Sequence, residues 1–307
     1  MPPVAVIDIG SNSIKLLVAA RGEGSRLVAR QIRTIEARIS AGISSENPRL
    51  GPDGAERGVQ AVAGLVADAS AFGPRQIIIV ATSAVRGAAN GPEFCARIQA
   101  ETGHPVRVLT GGEEAGLIGR GLLCDPALES LRDFYVFDLG GGSLECLYFR
   151  DRTVIQEVSL PLGCVRLTEV FVADPAAPFA AGKPIAAHVR KAVVDAGFSL
   201  TQSAPAVGTG GTLTTARAVL GARTGLALEQ TDPRLTAGQL RDMLAQVGGL
   251  SLADRKLVPG LPPARADVFP TALATLIALA GLGGFEAYHH SLYNLRWGVA
   301  SEALGRP

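Results

Sequence analysis

The chain has 307 residues, of which 47% are hydrophobic and 19% charged, with a formal net charge of +1. That length suits about two domains of ordinary size, the low polarity excludes wholesale disorder, and near-neutrality excludes a general polyanion-binding surface, so any phosphate must be met locally. Aromatic residues are only 5% of the total, too few for a single-strand stacking platform, and no nucleic-acid partner is expected.

In chain order, no basic, apolar leader opens the sequence; from Val4 it reads as strand. Residues 4–20 hold two strands about a turn, and 27–35 a third. Helical periodicity and helix formers mark 54–71. The apolar run 76–81 is a strand, and Thr82-Ser83 after it cap a helix containing Arg86. A short strand at 106–110 precedes a helix at 111–123, whose opening acids, Glu113 and Glu114, suit the positive end of a helix dipole. The second half repeats the plan, with hairpins at 134–159 and helices at 185–202, 212–222, 236–247 and 265–281. Segments 173–184 and 221–233 read as loops, and 292–304 as a helix packing back onto the first domain. Strands alternating with helices predict an α/β protein. Its expected domains are 1–121, completed by 292–307, and 122–291. The apolar stretch 271–284 is too short to cross a bilayer, which takes about 20 residues, so no membrane partner is expected. Cys95, Cys124, Cys146 and Cys164 lack C-x-x-C spacing and read as thiols of a reducing compartment, with the cytoplasm as the expected location. His104, His188, His289 and His290 form no metal-ligand pattern.

An internal repeat carries the chemistry. Residues 8–14 read Asp-Ile-Gly-Ser-Asn-Ser-Ile and residues 138–144 read Asp-Leu-Gly-Gly-Gly-Ser-Leu. Each lies between apolar runs, so each is a hairpin with polar atoms at its tip, and two copies half a chain apart indicate a duplicated domain. Gly10, Gly140, Gly141 and Gly142 let the backbone approach a ligand closely, and Ser11, Asn12, Ser13 and Ser143 add side-chain donors. Asp8 and Asp138 beside these turns would repel phosphate unless a divalent cation lay between; Mg²⁺ fits, since it takes oxygen ligands and keeps waters. A third turn, Gly208-Thr209-Gly210-Gly211, follows a short apolar run and precedes a helix, which is an anion-site arrangement.

Together these segments resemble the exopolyphosphatase / guanosine pentaphosphate phosphohydrolase (Ppx/GppA) family. The resemblance rests on 7–13, on Ala-Thr-Ser-Ala-Val-Arg at 81–86, on Gly-Gly-Glu-Glu-Ala at 111–115, on 137–145 and on Val-Gly-Thr-Gly-Gly-Thr at 207–212, in order along nearly the whole chain. It implies two actin-like (ribonuclease H-like) domains of the sugar kinase/heat-shock chaperone/actin ATPase superfamily, facing an interdomain cleft. It implies Mg²⁺-assisted hydrolysis of the terminal phosphate of inorganic polyphosphate or guanosine pentaphosphate. Longer members carry a further C-terminal helical region, so the chain resembles the short, two-domain branch. By position, Glu114 matches the catalytic base, Asp138 and Glu145 match acids near metal and attacking water, Asp8 matches the acid of the first turn, and Arg86 matches a phosphate contact. Asp8, Asp138 and Glu145 are thus the expected metal ligands, for Mg²⁺ or another divalent cation, and family habit implies a homodimer. Arg166 belongs to a family-like segment, Lys15 stands where members vary, and Phe269-Pro270-Thr271 replaces a more glycine-rich stretch. Other readings of the same residues are an ATP-dependent kinase of this fold and a non-catalytic alarmone or polyphosphate sensor.

Overall fold

A computed structural model describes residues 2–40, 44–200 and 203–305. The last two residues of the expected 185–202 helix, and residues 306 and 307 of the expected first domain, lie outside the described residues. The chain divides into two units, the first comprising 1–129 with 293–307 and the second 130–292.

The first unit is built on β1 (Val4–Ile9), β2 (Ile14–Arg21) and β3 (Leu27–Ile35), followed by α1 (Pro52–Ser70), β4 (Gln76–Ala81), α2 (Ser83–Gly87), α3 (Gly91–Thr102), β5 (Val106–Val108) and α4 (Gly111–Leu122). Its sheet runs β3-β2-β1-β4-β5. The β1, β2 and β3 meander is antiparallel, while β4 and β5 are parallel to β1 and to each other. Every residue of β1 is buried, as its continuous apolar run requires of a central strand covered on both faces. The edge strand β3 alternates in exposure instead. Pro52 starts α1, and Val59, Val62, Leu65 and Ala69 give it one buried stripe.

The second unit begins with β6 (Phe134–Leu139), β7 (Leu144–Arg150) and β8 (Thr153–Leu160), then α5 (Cys164–Phe171), α6 (Gly182–Asp195), β9 (Ala206–Thr209) and α7 (Gly211–Thr224). It continues with β10 (Arg234–Thr236), α8 (Ala237–Gly248), α9 (Leu252–Arg255), α10 (Phe269–Gly283) and β11 (Ala287–His290). The sheet order is β10-β11-β9-β6-β7-β8. Here β6, β7 and β8 form the antiparallel meander, with β9 and β11 parallel to β6. Apart from the added edge strand β10, this is the topology of the first sheet, so the repeated motif marks a repeated fold. Rings fill its core: Phe134 stacks on Phe149 and Tyr135 on Tyr148, both at 4.5 Å. Burying each such side chain contributes about 1.5–3 kcal/mol.

Several element ends depart from expectation for local reasons. α6 stops at Asp195 because Gly197 turns left-handed at φ +69° and closes the helix. α7 runs on to Thr224 and ends on left-handed Gly225. α10 starts at Phe269, after a short 3₁₀ turn at Pro263–Arg265. The last helix, α11 (Leu295–Leu304), belongs to the first unit. It crosses α4 where two glycines meet: a Cβ on Gly298 would fall on the Leu117 carbonyl, and one on Gly121 on the Asn294 carbonyl.

Candidate active site

In each unit the candidate residues gather at the carboxyl ends of the parallel strands, the edge where open α/β sheets bind ligands. In the first unit, Gly10 N–H donates to the Ser13 carbonyl at 3.2 Å and closes the β1–β2 hairpin. The carbonyls between them are drawn back into the protein. Ser40 Oγ donates to Ser11 O at 3.0 Å, and Arg38 N–H donates to Asn12 O at 2.9 Å, Arg38 adopting φ +46° to do so. A planar trans peptide holds its C=O and N–H on opposite sides. The N–H groups of Asn12 and Ser13 therefore point away from the 38–40 segment. Asn12 Nδ2 donates to Glu36 Oε2 at 2.7 Å, and its buried Oδ1 has no partner among the described residues.

The second turn is built in the same way with different donors. Gly140 N–H donates to Ser143 O at 3.0 Å. Gly140 O accepts from Cys164 N–H at 2.9 Å, and Gly141 O accepts from the N–H groups of Val165 and Arg166 at 2.9 and 3.2 Å. The opening turn of α5 thus spends its orphan donors on the glycine turn, and the Gly141 and Gly142 N–H groups face the other way. Arg166 Nε adds a bond to Gly142 O at 3.3 Å. That bond fastens the Arg166 side chain to the loop backbone. Gly163 must be glycine, because a Cβ there would collide with the Gly141 backbone.

The third turn ends β9 and opens α7. Gly210 has φ +89°, and the space a Cβ would need holds the Asp138 carboxylate. Over Gly211 lies the guanidinium of Arg265. Thr212, one residue into the 14-residue α7, is 1% exposed, and its buried Oγ1 has no partner among the described residues. A hydroxyl left unmet at a helix N-terminus is what a bound anion would satisfy. Nothing in the sequence motifs marks Arg265 as a ligand group.

The acids differ between the two hairpins. Asp8 lies across the β1–β2 ladder from Lys15, whereas Asp138 lies across the β6–β7 ladder from Glu145. Asp8 is 7% exposed. Burial raises its pKa, and the charges of Lys15 and Arg296 oppose that rise. Glu145 is 2% exposed and accepts from Ser159 Oγ at 2.8 Å. Two carboxylates on facing rungs repel each other, and a divalent cation between Asp138 and Glu145 would offset that repulsion. Asp8 already carries its counter-charges. Within either unit, among the described residues, no three potential ligands form a cluster.

Glu114 and Arg86 are brought into contact. Thr110 and Glu113 form a capping box that starts α4: Glu113 N–H donates to Thr110 Oγ1 at 3.2 Å and Thr110 N–H donates to Glu113 Oε2 at 2.8 Å. Glu113, bonded by the Thr110 backbone and by Arg107, is pulled down to a pKa of about 2. Glu114, one residue on, turns inward and is 6% exposed. Arg86 Nη1 donates both to its Oε2 at 2.9 Å and to the Leu109 carbonyl at 2.7 Å. Both contacts of Arg86 use Nη1, and its Nη2 and Nε have no protein partner among the described residues.

Comparison with known proteins follows the same lines. Residues 17–306 match the model of the Ppx/GppA phosphatase family. An uncharacterized protein of Streptomyces coelicolor is 34% identical over 306 residues, covering 96% of this chain and 88% of its own. The crystal structure of an exopolyphosphatase from Cytophaga hutchinsonii superposes with a TM-score of 0.88 at 21% identity, covering 98% of this chain and 97% of that one. A structure of the Aquifex aeolicus PPX-GPPA enzyme gives a TM-score of 0.77 at 27% identity, with 97% and 98% covered. The architecture is the actin-like α/β fold that the family resemblance implied, and with the family match over most of its length, the chain belongs to the Ppx/GppA phosphatase family.

Proposed function

We propose that this phosphatase is an exopolyphosphatase, releasing the terminal phosphate of inorganic polyphosphate or of guanosine pentaphosphate by attack of water. The observation that carries the reading is the tying back of the loop carbonyls at Ser11, Asn12, Gly140 and Gly141. It leaves rows of N–H groups aimed outward, a recognition surface for phosphate oxygens that makes no demand on the rest of the molecule bearing them. The exopolyphosphatase of Cytophaga hutchinsonii shares the fold.

In this reading Gly10, Ser11, Asn12 and Ser13, Gly140, Gly141, Gly142 and Ser143, and Gly208, Thr209, Gly210 and Gly211 bind non-bridging oxygens. Arg86 grips a further oxygen through Nη2 and Nε while Nη1 holds Glu114, so one rigid guanidinium sets the spacing between base and phosphate. Glu114 takes a proton from the attacking water as its oxygen bonds to the terminal phosphorus. The bridging P–O bond breaks, and its electrons remain on the shortened chain. Asp138 and Glu145 would hold a divalent cation, with Asp8 as a further acid ligand, and its charge would offset that of the phosphate. The protein works as a homodimer in the cytoplasm. Among the described residues no helix is long and apolar enough to cross a membrane.

The test is phosphate release, with Mg²⁺, from long-chain polyphosphate, tripolyphosphate, guanosine pentaphosphate and ATP in parallel. Release from polyphosphate or pentaphosphate, abolished in Glu114→Gln, is expected. Binding without release on any of them would move the assignment to a sensor, and turnover of ATP only with an added acceptor would move it to a kinase.

A further inference from the structure

Behind the third glycine turn lies a histidine that this chemistry does not use. His290 ends β11, sits beside Gly208 in the parallel ladder and is 6% exposed. Its Nε2 stands 3.2 Å from Thr214 Oγ1. Thr214 Oγ1 donates to the Gly210 carbonyl at 2.9 Å, and Thr214 N–H reaches the same oxygen at 3.3 Å. His290 Nδ1 is buried with no partner among the described residues.

Two arguments place the ring proton. A threonine hydroxyl has one hydrogen, and here it goes to Gly210, so Nε2 must be the donor to Oγ1. A buried N–H without an acceptor is also rarer and costlier than an unmet lone pair, which again puts the proton on Nε2. Burial, reinforced by the nearby Arg217 guanidinium, holds the ring's pKa at about 3. The imidazole therefore stays neutral and the order of donors fixed across the neutral range.

The peptide held by this chain of donors lies between Gly210 and Gly211. With glycine on both sides it has little of its own to stop it turning over. We infer that His290 is a positioning residue for the third phosphate turn: it donates to Thr214, Thr214 donates to Gly210, and the Gly211 N–H is thereby held on the opposite side of the peptide. The ring touches no reacting atom. The inference rests on the reading of this turn as phosphate-binding.

Steady-state kinetics on polyphosphate and ¹⁵N NMR of the imidazoles of the full chain test it together. His290→Leu and Thr214→Val should each raise KM about three- to tenfold, the effect of one lost neutral hydrogen bond, with kcat changed less than about twofold. His290→Gln, which keeps an N–H at similar reach, should restore KM to within about twofold. The pH dependence of KM between pH 6 and 9 should be the same in wild type and His290→Leu. An unchanged KM in Thr214→Val, a KM in His290→Gln as high as in His290→Leu, or an inflection lost with the histidine would each overturn the inference. The NMR signature expected is the Nε2–H tautomer; an Nδ1–H or doubly protonated ring at pH 7 would overturn it whatever the substrate. If the wild type leaves polyphosphate intact, the substrate assignment fails by itself. Binding of inorganic phosphate then decides the positioning role: weaker in His290→Leu and restored in His290→Gln supports it, and equal affinity in all three rejects it.

Discussion

Glu114 is held from one side by a single guanidinium nitrogen that also grips the Leu109 carbonyl. Replacing it by Gln keeps the shape and removes the base. Turnover should fall by about a hundredfold or more while affinity for a phosphate chain, measured by calorimetry, stays near wild type; near-normal turnover would end its assignment as base. Arg86→Lys keeps the charge but loses the fork, and should lower kcat about tenfold or more, because one ammonium cannot hold base and oxygen at a set distance. The contrast between the hairpin acids leads to a further expectation. Asp138→Asn should shift the Mg²⁺ activation curve to higher concentration more than Asp8→Asn does, since Asp8 faces Lys15 while Asp138 faces Glu145. Equal shifts would place the ion differently. Glu114 and Arg86 stood out in the sequence as separate motifs. Their contact did not, because the residues lie 28 apart and meet only through the pairing of β4 with β5. Arg265 was illegible for a similar reason: a guanidinium on Gly211 depends on how the 263–265 turn enters α10.

At the scale of elements, α4 is positioned from both ends. Its start depends on Glu113, whose folded pKa of about 2 lies below the ordinary 4.5. A depressed carboxylate contributes its full stability above about pH 4.5 and loses it as pH falls through about 2. Glu113→Gln should therefore flatten the pH dependence of the unfolding midpoint in that window, with little change at pH 7 beyond a constant offset. Along its length α4 is pressed against α11, glycine to glycine. Gly298→Ala would drive a methyl into the Leu117 carbonyl, and overpacking of this kind costs about 1–3 kcal/mol. A clear drop in Tm is expected, with a loss of kcat as Glu114 moves; an unaltered melting curve would mean that the crossing is looser than drawn. Most of the long helices and the apolar strands were legible from spacing, but not the 12-residue α3, whose buried face is only Gly91, Phe94 and Ile98. The short α5, β10 and β11 were not, since three to eight residues carry no period, and α5 begins without a capping side chain.

For the whole molecule, the repeat of one hairpin signature announced one topology used twice, and the two sheets bear this out strand by strand apart from β10. Under the proposed function the two copies differ in role, and within the repeat the clearest difference is Lys15 against Glu145. The tie-backs of the first two turns have unequal sources. The first relies partly on a hydroxyl, that of Ser40, whereas those of the second are mainly main-chain amides of Cys164, Val165 and Arg166. Main-chain donors are indifferent to side-chain identity, so the ties of the second turn survive any replacement at 164–166 that the packing around buried Cys164 and Val165 accepts, and proline, which alone removes the donor, is the replacement they should not survive.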